Sequence, residues 1–384
     1  MMINENIVNS AIALRKRLHR IPELAGEEVK TCAVIREMLA EIPGVEVLPP
    51  FLKTDTVAFI HGTAQGKNVT LRADIDALAV PEETGVDFAS GHPGKMHACG
   101  HDVHMAILYG AAQVLAARRH EFAGSIRLVF QPGEEGKAMA KDLIAAGALT
   151  EPQPDFVAAL HCEPGLPVGT VGVRAGAMAS SNLHFKVVFH GQGGHGSLPH
   201  LSRNPISAAV AAYTELQYVL NTRIDAMRPA VVSICTFNGG KNDNVIPDSC
   251  EFSGTMRSQD NDTAAKLKAA LTEICLPVAQ LHRVDCEIIN GSEYPATVNP
   301  ASGAETAKIA AKNAGLPVVE LERGAMSSED FAYFLLNSPD GAFVRLGAGE
   351  DLPPLHNSKF LPPDEIIPAG IKYMTAVALE ALKK

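Results

Sequence analysis

The sequence lacks the features that mark membrane-spanning, secreted and nucleic-acid-binding proteins. None of its apolar stretches reaches the roughly 18 residues that a membrane-spanning helix needs. The stretch MMINENIVNSAIALRKRLHR carries its positive charges after its apolar residues, whereas a secretory signal has the opposite order. There is no basic run, and 33 Lys and Arg against 43 Asp and Glu give a net charge of −10, which disfavours nucleic acid and acidic membranes as partners. We therefore expect a cytoplasmic protein.

The sequence also lacks a CxxC pair, and its cysteines are scattered along the chain. An odd, dispersed set in a chain of this length indicates reduced thiols rather than a disulfide framework, which agrees with a cytoplasmic location. The seven cysteines are Cys32, Cys99, Cys162, Cys235, Cys250, Cys275 and Cys286.

The composition is that of an ordinary globular protein. Hydrophobic residues make up 46% and charged residues 20%, which excludes a disordered chain, a coiled coil and a collagen. There is no internal repeat and no low-complexity tract. At roughly 150 residues per domain, the length of 384 residues suggests two or three domains.

Two different orders of helices and strands are predicted along the chain. In its first part and again near its end, amphipathic helices alternate with short apolar strands, which predicts an α/β sheet covered by helices. Between residues 183 and 290 the order is β-α-β-β-α-β, typical of a ferredoxin-like antiparallel sheet with two helices on one face. We expect Pro277 to break or kink the second of these helices. The sequence thus predicts a discontinuous α/β domain of residues 1–179 and 294–384, with an α+β domain of residues 180–293 inserted into it.

The stretch MHACGHDVH, residues 96–104, concentrates three histidines and a cysteine. Cys and His are soft and borderline metal ligands. Because residues two apart do not share a helix face, Cys99 and His101 can converge only from a loop or from the turn that opens the next helix, and Gly100 permits such a turn. The alternative is a helix N-terminus with incidental histidines, which the density of ligand types disfavours. We therefore predict metal binding here.

A second polar cluster, QPGEEG at residues 131–136, directly follows a strongly apolar predicted strand. Adjacent carboxylates on an irregular backbone point in different directions. One of Glu134 and Glu135 could therefore bind a metal while the other acts as a general base. A Glu-Glu pair alone is more often a solvated turn, but its place after a buried strand makes the functional interpretation equally plausible.

Single polar residues follow the other predicted strands of the α/β part. His161 follows the strand at 156–160, Asp74 and Asp76 follow the strand at 69–73, and His356 lies in a loop after the strand at 342–346. Each could be a structural residue, and His161 in particular could be a satisfied core histidine. All four residues follow predicted strands, and this shared placement supports a common site, because ligands bind at the carboxyl ends of strands in open α/β sheets. The sequence predicts a metal site assembled at this edge.

The inserted domain has candidates of its own. Three glycines around His195 in GQGGHGSLPH allow close approach of a ligand or another surface, although a flexible loop is equally consistent. Arg257 could hold a substrate carboxylate through two hydrogen bonds, although a surface salt bridge is the commoner role of an arginine. Asn244, in NVIPD, is a further polar residue beside a strand of this domain.

Taken together, the motifs resemble the metal-dependent amidohydrolases of the aminoacylase/carboxypeptidase superfamily. Within this superfamily, the sequence resembles the branch that contains hippurate hydrolases, N-acyl-amino-acid amidohydrolases and plant auxin-conjugate hydrolases. MHACGHD is the most specific match. The matching strings run nearly end to end: LHRIPEL (18–24), RADIDAL (72–78), MHACGHDVHM (96–105), FQPGEEG (130–136), GGHGSLPH (193–200), NVIPD (244–248), GTMR (254–257), SSEDFAYF (327–334) and PLHN (354–357).

The resemblance implies a metallopeptidase-like catalytic domain, a ferredoxin-like dimerisation or lid domain, and two divalent metal ions of manganese, zinc, cobalt or nickel. Glu134 would be the general base, Asp76 would orient a histidine ligand, and His195 would help to hold the developing oxyanion, often in the partner subunit's site. Asn244 and Arg257 would help to bind substrate. The implied metal ligands are Cys99, His101, Glu135, His161 and His356.

The expected activity is hydrolysis of the amide bond of an N-acyl amino acid by a homodimer. A dipeptidase or small-peptide carboxypeptidase with the same machinery is an alternative, as is a specialised deacetylase of N-acetyl-diaminopimelate type. A non-catalytic small-molecule binding protein on the same fold is disfavoured, because Glu134 and the whole implied ligand set are present together.

Overall fold

In the computed structural model, which describes residues 2–383, the chain divides into two units. Unit 2 consists of Ala179–Thr297 and Gly324–Glu329, and unit 1 contains the other described residues. The predicted insertion, residues 180–293, lies inside the first of these segments, whereas the prediction did not include the second. None of the helices among the described residues has the length and apolarity that crossing a membrane requires.

Helices and strands are numbered along the chain over the described residues. The helices are α1 (Glu5–His19), α2 (Val29–Ala40), α3 (His101–Ala117), α4 (Ala140–Ala145), α5 (Pro205–Thr222), α6 (Asn261–His282), α7 (Ala301–Asn313), α8 (Ala332–Leu336) and α9 (Ile366–Lys383). The strands are β1 (Val45–Val47), β2 (Thr56–His61), β3 (Asn68–Asp74), β4 (Ser125–Gln131), β5 (Phe156–Pro164), β6 (Val171–Val173), β7 (Gly176–Ala179), β8 (Asn182–His190), β9 (Gly194–His195), β10 (Ala230–Gly239), β11 (Val245–Ile246), β12 (Ser249–Ser258), β13 (Asp285–Tyr294), β14 (Thr297–Asn299), β15 (Val318–Glu320) and β16 (Gly341–Gly349).

Unit 1 is built on an eight-stranded sheet with the order β1-β2-β4-β3-β5-β16-β6-β15. Its central strands β4, β3, β5 and β16 are parallel, and every residue of β3 and β4 is buried. Helices cover both faces: α1, α3, α7 and α9 contribute to the core on one face, and α4 and α8 to the core on the other. Parallel strands buried on both faces read as continuous apolar runs, which is why the sequence predicted them well.

The parallel arrangement brings the carboxyl ends of the central strands to one edge. β5 extends to Pro164, beyond the predicted end at Leu160, so that His161 lies within the strand rather than after it. His161 is opposite Arg345 of β16 in the parallel register. Helix α8 begins at Ala332, and Asp330 lies in the turn before it.

A buried ionic network joins α1 to α3 beside this edge. His19 Nδ1 lies 2.9 Å from Asp102 Oδ2, and Arg15 Nε donates to the same oxygen at 3.2 Å. The other ring nitrogen of His19 lies 3.1 Å from Glu82 Oε1. Burial opposes protonation of His19, but the two carboxylates outweigh it and raise its pKa to about 9. His19 is therefore a charged imidazolium near neutral pH. Through Asp102 it holds the first turn of α3, the turn that also carries His101.

Unit 2 contains an antiparallel four-stranded sheet with the order β10-β12-β8-β13. Helices α5 and α6 pack on it through one apolar core, which confirms the predicted β-α-β-β-α-β arrangement. Helix α5 begins with Pro205, and the side chain of Asn204 accepts a hydrogen bond from Ile206 N at 3.0 Å, as expected of an N-cap.

Pro277 was expected to break or kink helix α6; it does not break the helix, which continues to His282. A proline removes the hydrogen bond to the carbonyl four residues earlier, here that of Glu273. Pro277 and Glu273 are both exposed, so that water can satisfy the released carbonyl.

Candidate metal centre

The turn that opens α3 presents Cys99 and His101 together. Gly100 is the N-cap residue of α3 and has φ 81°, a left-handed conformation that favours glycine. A Cβ atom at this position would also collide with Cys162 Sγ. Glycine is thus favoured at position 100 for two reasons, its backbone conformation and the lack of space for a side chain. The turn places the buried thiol of Cys99 and the buried imidazole of His101 on either side of it.

The five predicted ligands form two groups that share Cys99. Sγ of Cys99 and one ring nitrogen each of His101 and His161 lie within 4.8 Å of one another, and Cys99, Glu135 and His356 form a second such group. Within these groups Cys99 Sγ lies 3.3 Å from His161 Nε2, and His356 Nε2 lies 3.1 Å from Glu135 Oε1. The structure therefore brings together sulfur, nitrogen and oxygen donors from four separate places in the sequence.

His101 has the orientation expected of a metal ligand. Its Nδ1 donates to Asp76, at 2.9 Å from the carbonyl oxygen and 3.2 Å from Oδ1, while its buried Nε2 has no hydrogen-bond partner. A carboxylate on one ring nitrogen fixes the tautomer and leaves the other nitrogen to bind a metal. Burial opposes it, but Asp74 and Asp76 raise the pKa of His101 to about 10. Binding of a cation at Nε2 would therefore displace a proton near neutral pH.

His161 follows the same pattern with a different partner. Its Nδ1 donates to the carbonyl oxygen of Cys162 at 2.7 Å, which leaves Nε2 directed at the Cys99 thiol. Burial, together with the nearby His104, holds the pKa of His161 well below its usual value, so that the ring is neutral. Burial and the neighbouring Glu135 raise the pKa of Cys99, a trend that a bound cation reverses because it stabilises the thiolate.

His356 lies in a backbone conformation that is rare for a residue with a side chain. Its φ is 66°, and its N–H donates to the carbonyl oxygen of Ala98 at 2.8 Å, next to Cys99. Strain of this kind persists where the surrounding structure enforces it and is concentrated at functional sites. The hydrogen bond to Glu135 raises the pKa of His356. His356 is the most exposed of the five predicted ligands, with a side chain 51% exposed.

Glu134 and Glu135 leave the same loop in different environments. Glu135 N donates to Asp76 Oδ2 at 2.8 Å, so that one aspartate supports both His101 and the Glu135 backbone. Glu134 is buried, and its Oε1 accepts a hydrogen bond from Asp330 N at 3.4 Å. Oxygens of both glutamates lie within 4.8 Å of a ring nitrogen of His101. His101, Glu134 and Glu135 thus form a further group that could hold a cation, next to the two groups that share Cys99.

Sequence reasoning did not assign roles to Asp330 and His104. Asp330 accepts hydrogen bonds from Arg72 Nη2 at 2.7 Å and from Gln131 Nε2 at 2.8 Å, behind the loop that carries Glu134. The ring nitrogens of His104 are engaged with Asp74 Oδ1 at 2.6 Å and with Cys162 N at 2.9 Å. We interpret His104 as a structural link between α3 and β5 rather than as a ligand. Its position three residues after His101 on one helix was the available signal.

The candidates of the inserted domain all lie in unit 2. His195, in strand β9, pairs with Val245 of β11, and Gly196 N donates to the carbonyl oxygen of Asn244 at 2.8 Å, so that His195 and Asn244 are neighbours. Ser197 N donates to His195 Nδ1 at 3.1 Å. Arg257 is half-buried on β12, and its Nη1 donates to the carbonyl oxygen of Met326 at 3.0 Å.

Comparison with known proteins gives consistent results over nearly the whole chain. The model of a family described as Peptidase family M20/M25/M40 matches residues 70–380. Thermostable carboxypeptidase 1 of Saccharolobus solfataricus is 36% identical over 368 residues, which cover 94% of this chain and 92% of that protein. N-acetyl-L-cysteine deacetylase of Bacillus subtilis is 36% identical over 340 residues, 88% of this chain and 80% of that protein. The crystal structure of a dinuclear metal-binding peptidase from the M20 family of Bacillus subtilis matches with a TM-score of 0.85 and 32% identity, covering 99% of each chain.

Proposed function

Because the chain belongs to peptidase family M20/M25/M40 and is a metal-dependent amidohydrolase, we propose that it hydrolyses N-acyl amino acids to a carboxylic acid and a free amino acid. The observation that carries the proposal is the position of Glu134, a buried carboxylate beside two ligand groups that share a thiol. A ligand set with an adjacent carboxylate outside it suits the hydrolysis of an amide.

We assign two divalent cations to Cys99, His101, Glu135, His161 and His356. The sharing of Cys99 by two groups supports this assignment, as do the hydrogen bonds that hold Nδ1 of His101 and of His161. Mixed nitrogen, oxygen and sulfur donors suit manganese, zinc, cobalt or nickel. When bound, the cations supply Lewis acidity, which polarises the scissile carbonyl and lowers the pKa of a water molecule.

The residues of the chain then move the protons. Glu134 accepts a proton from the attacking water and delivers it to the departing amine, while the N–H of Asp330 holds its Oε1. Asp76 orients His101 and fixes the backbone of Glu135. The proposed roles of His195 on the developing oxyanion, and of Asn244 and Arg257 on the substrate, rest on the resemblance alone.

A substrate panel tests the proposed function. Metal-stripped protein should release no amino acid, and added Mn²⁺, Zn²⁺, Co²⁺ or Ni²⁺ should restore release from acetyl-, benzoyl- or indoleacetyl-amino acids or from N-acetyl-diaminopimelate. A chromatographic assay of the released amino acid measures the restored hydrolysis, and the metal-stripped protein is the control. Faster hydrolysis of dipeptides than of every N-acyl amino acid would instead favour a peptidase, the candidate suggested by the relative named a carboxypeptidase. No release with any metal and any substrate would contradict both.

We further propose that two copies pair through unit 2. Strand β10 is at the edge of its sheet, and Phe237 on β10 packs edge-on against Tyr213 of α5 with ring centroids 6.3 Å apart. Both side chains remain about 40% exposed, at 41% and 40%. An unpaired edge beside exposed aromatic residues suits pairing with a second copy. Light scattering should give twice the chain mass of 40.7 kDa, and Tyr213→Glu should lower it towards the single-chain value. A single-chain mass for the unaltered protein would contradict this proposal.

A further inference from the structure

A carboxylate from a distant part of the chain holds the loop that carries Glu134. Glu28, at the start of α2, is fully buried, and its Oε1 accepts hydrogen bonds from Gly133 N at 2.9 Å and from Gly26 N at 2.8 Å. Gly133 directly precedes Glu134 and has φ 64°. The amide that Glu28 accepts therefore belongs to the turn from which the Glu134 side chain departs.

The loop is held from its other side as well. Met139 N donates to the carbonyl oxygen of Gly133 at 3.1 Å, and a Cβ atom at Gly133 would collide with the Met139 side chain. Lys137 Nζ donates to the carbonyl oxygen of Ala25 at 2.6 Å, which ties the far end of the loop to the same segment as Glu28. The segment before α2 thus braces the loop at two points, of which only the Glu28 contact reaches the turn next to Glu134.

Burial of the Glu28 carboxylate has an energetic cost. Burial raises the pKa of Glu28 to about 7, against the opposing effect of hydrogen bonds from the backbone N–H groups of Glu28 itself and Gly26, and the carboxylate of Asp76 adds to the rise. A buried ionisable group is costly unless its hydrogen bonds compensate. Oε1 of Glu28 acts as an acceptor of amide hydrogens. The side-chain oxygen of a glutamine, which is neutral and has the same length, can accept them as well.

We propose that Glu28 is a positioning residue that sets the orientation of Glu134 by holding the Gly133 amide. This inference rests on the proposed function, because it concerns the role assigned there to Glu134. Removal of the side chain leaves the Gly133 N–H unsatisfied and allows the turn to rotate, which moves a carboxylate that must lie within hydrogen-bonding distance of the reacting water.

The test compares Glu28→Ala with Glu28→Gln by two independent measurements. Hydrogen–deuterium exchange of the 131–136 segment should be faster in Glu28→Ala and unchanged in Glu28→Gln. With the metals bound, kcat of Glu28→Ala should fall by roughly 10- to 100-fold, the effect expected of a misplaced catalytic group, while KM and metal content stay near those of the unaltered protein. Glu28→Gln should retain most of kcat, because the acceptor is restored.

Glu23 provides a matched control from the same segment. Its carboxylate accepts hydrogen bonds from Thr31 N and Oγ1 at 2.9 and 3.0 Å, and these contacts stay within the start of α2. Glu23→Ala should lower the melting temperature without changing kcat or exchange in the 131–136 segment. The proposal is overturned if Glu23→Ala reproduces the effects of Glu28→Ala, if Glu28→Gln is impaired as strongly as Glu28→Ala, or if Glu28→Ala changes neither kcat nor exchange.

Two provisions separate the possible failures. If Glu28→Ala does not fold, Glu28→Asp replaces it, because the aspartate side chain is one methylene shorter and should lose the Gly133 contact. Equal kcat and equal exchange in the Asp and Gln variants would then overturn the proposal. If the unaltered protein hydrolyses nothing in the substrate panel, the proposed function fails, whereas faster exchange in Glu28→Ala alone still shows that Glu28 holds the loop.

Discussion

Replacement of Glu134 by glutamine should lower kcat by about 10²- to 10⁴-fold, the contribution usual for a general base, while the metal content stays unchanged. Glutamine has nearly the same shape and keeps an oxygen that can accept the hydrogen bond of Asp330 N, which in the structure reaches Glu134 Oε1 at 3.4 Å. It cannot accept a proton from water near neutral pH. The loss should therefore fall on turnover and leave folding intact.

Steady-state kinetics on a substrate identified in the panel, together with elemental analysis of the dialysed protein, measure this effect. The melting temperature of Glu134→Gln should match that of the unaltered protein. A variant that keeps substantial turnover would remove Glu134 from the role of base, and a variant that loses its metals would place it among the ligands instead.

Replacement of the adjacent Glu135 by alanine should act through the metals. Its carboxylate lies 3.1 Å from His356 Nε2 and belongs to the second ligand group around Cys99. We expect metal affinity to fall by more than the 10- to 100-fold that loss of an outer-shell partner typically costs, because a direct donor is removed. The dialysed variant should hold less metal than the unaltered protein, as elemental analysis would show.

The two glutamate variants serve as controls for each other. Raising the concentration of the activating cation should recover part of the turnover of Glu135→Ala, because occupancy is what it lacks. The same addition should not help Glu134→Gln, whose sites are already filled. Full metal retention by dialysed Glu135→Ala would contradict its assignment as a ligand, and equal rescue of both variants would contradict the division of roles between them.

The local patterns of the sequence were sufficient to predict most of the fold. Strands β3, β4 and β5 are apolar runs bounded by polar residues, and such runs signal buried parallel strands whatever their partners are. The β-α-β-β-α-β order of unit 2 is likewise a local property of consecutive segments. The helix is not broken at Pro277, which local preference could not predict because it does not report whether the released carbonyl faces water; here Glu273 and Pro277 are exposed.

By itself the sequence was sufficient to predict a metal-dependent amidohydrolase, which the family match confirms. The thiol, imidazole and carboxylate donors follow predicted strands or open a helix, and that placement is readable because strand ends and helix starts are local signals. Only the tertiary structure decided which of these groups meet and what holds them. Glu28 and Gly133, or Glu134 and Asp330, are hydrogen-bonded across long stretches of sequence. Each pair includes a backbone amide, which every residue other than proline carries, so that no residue type in the sequence could identify the contact.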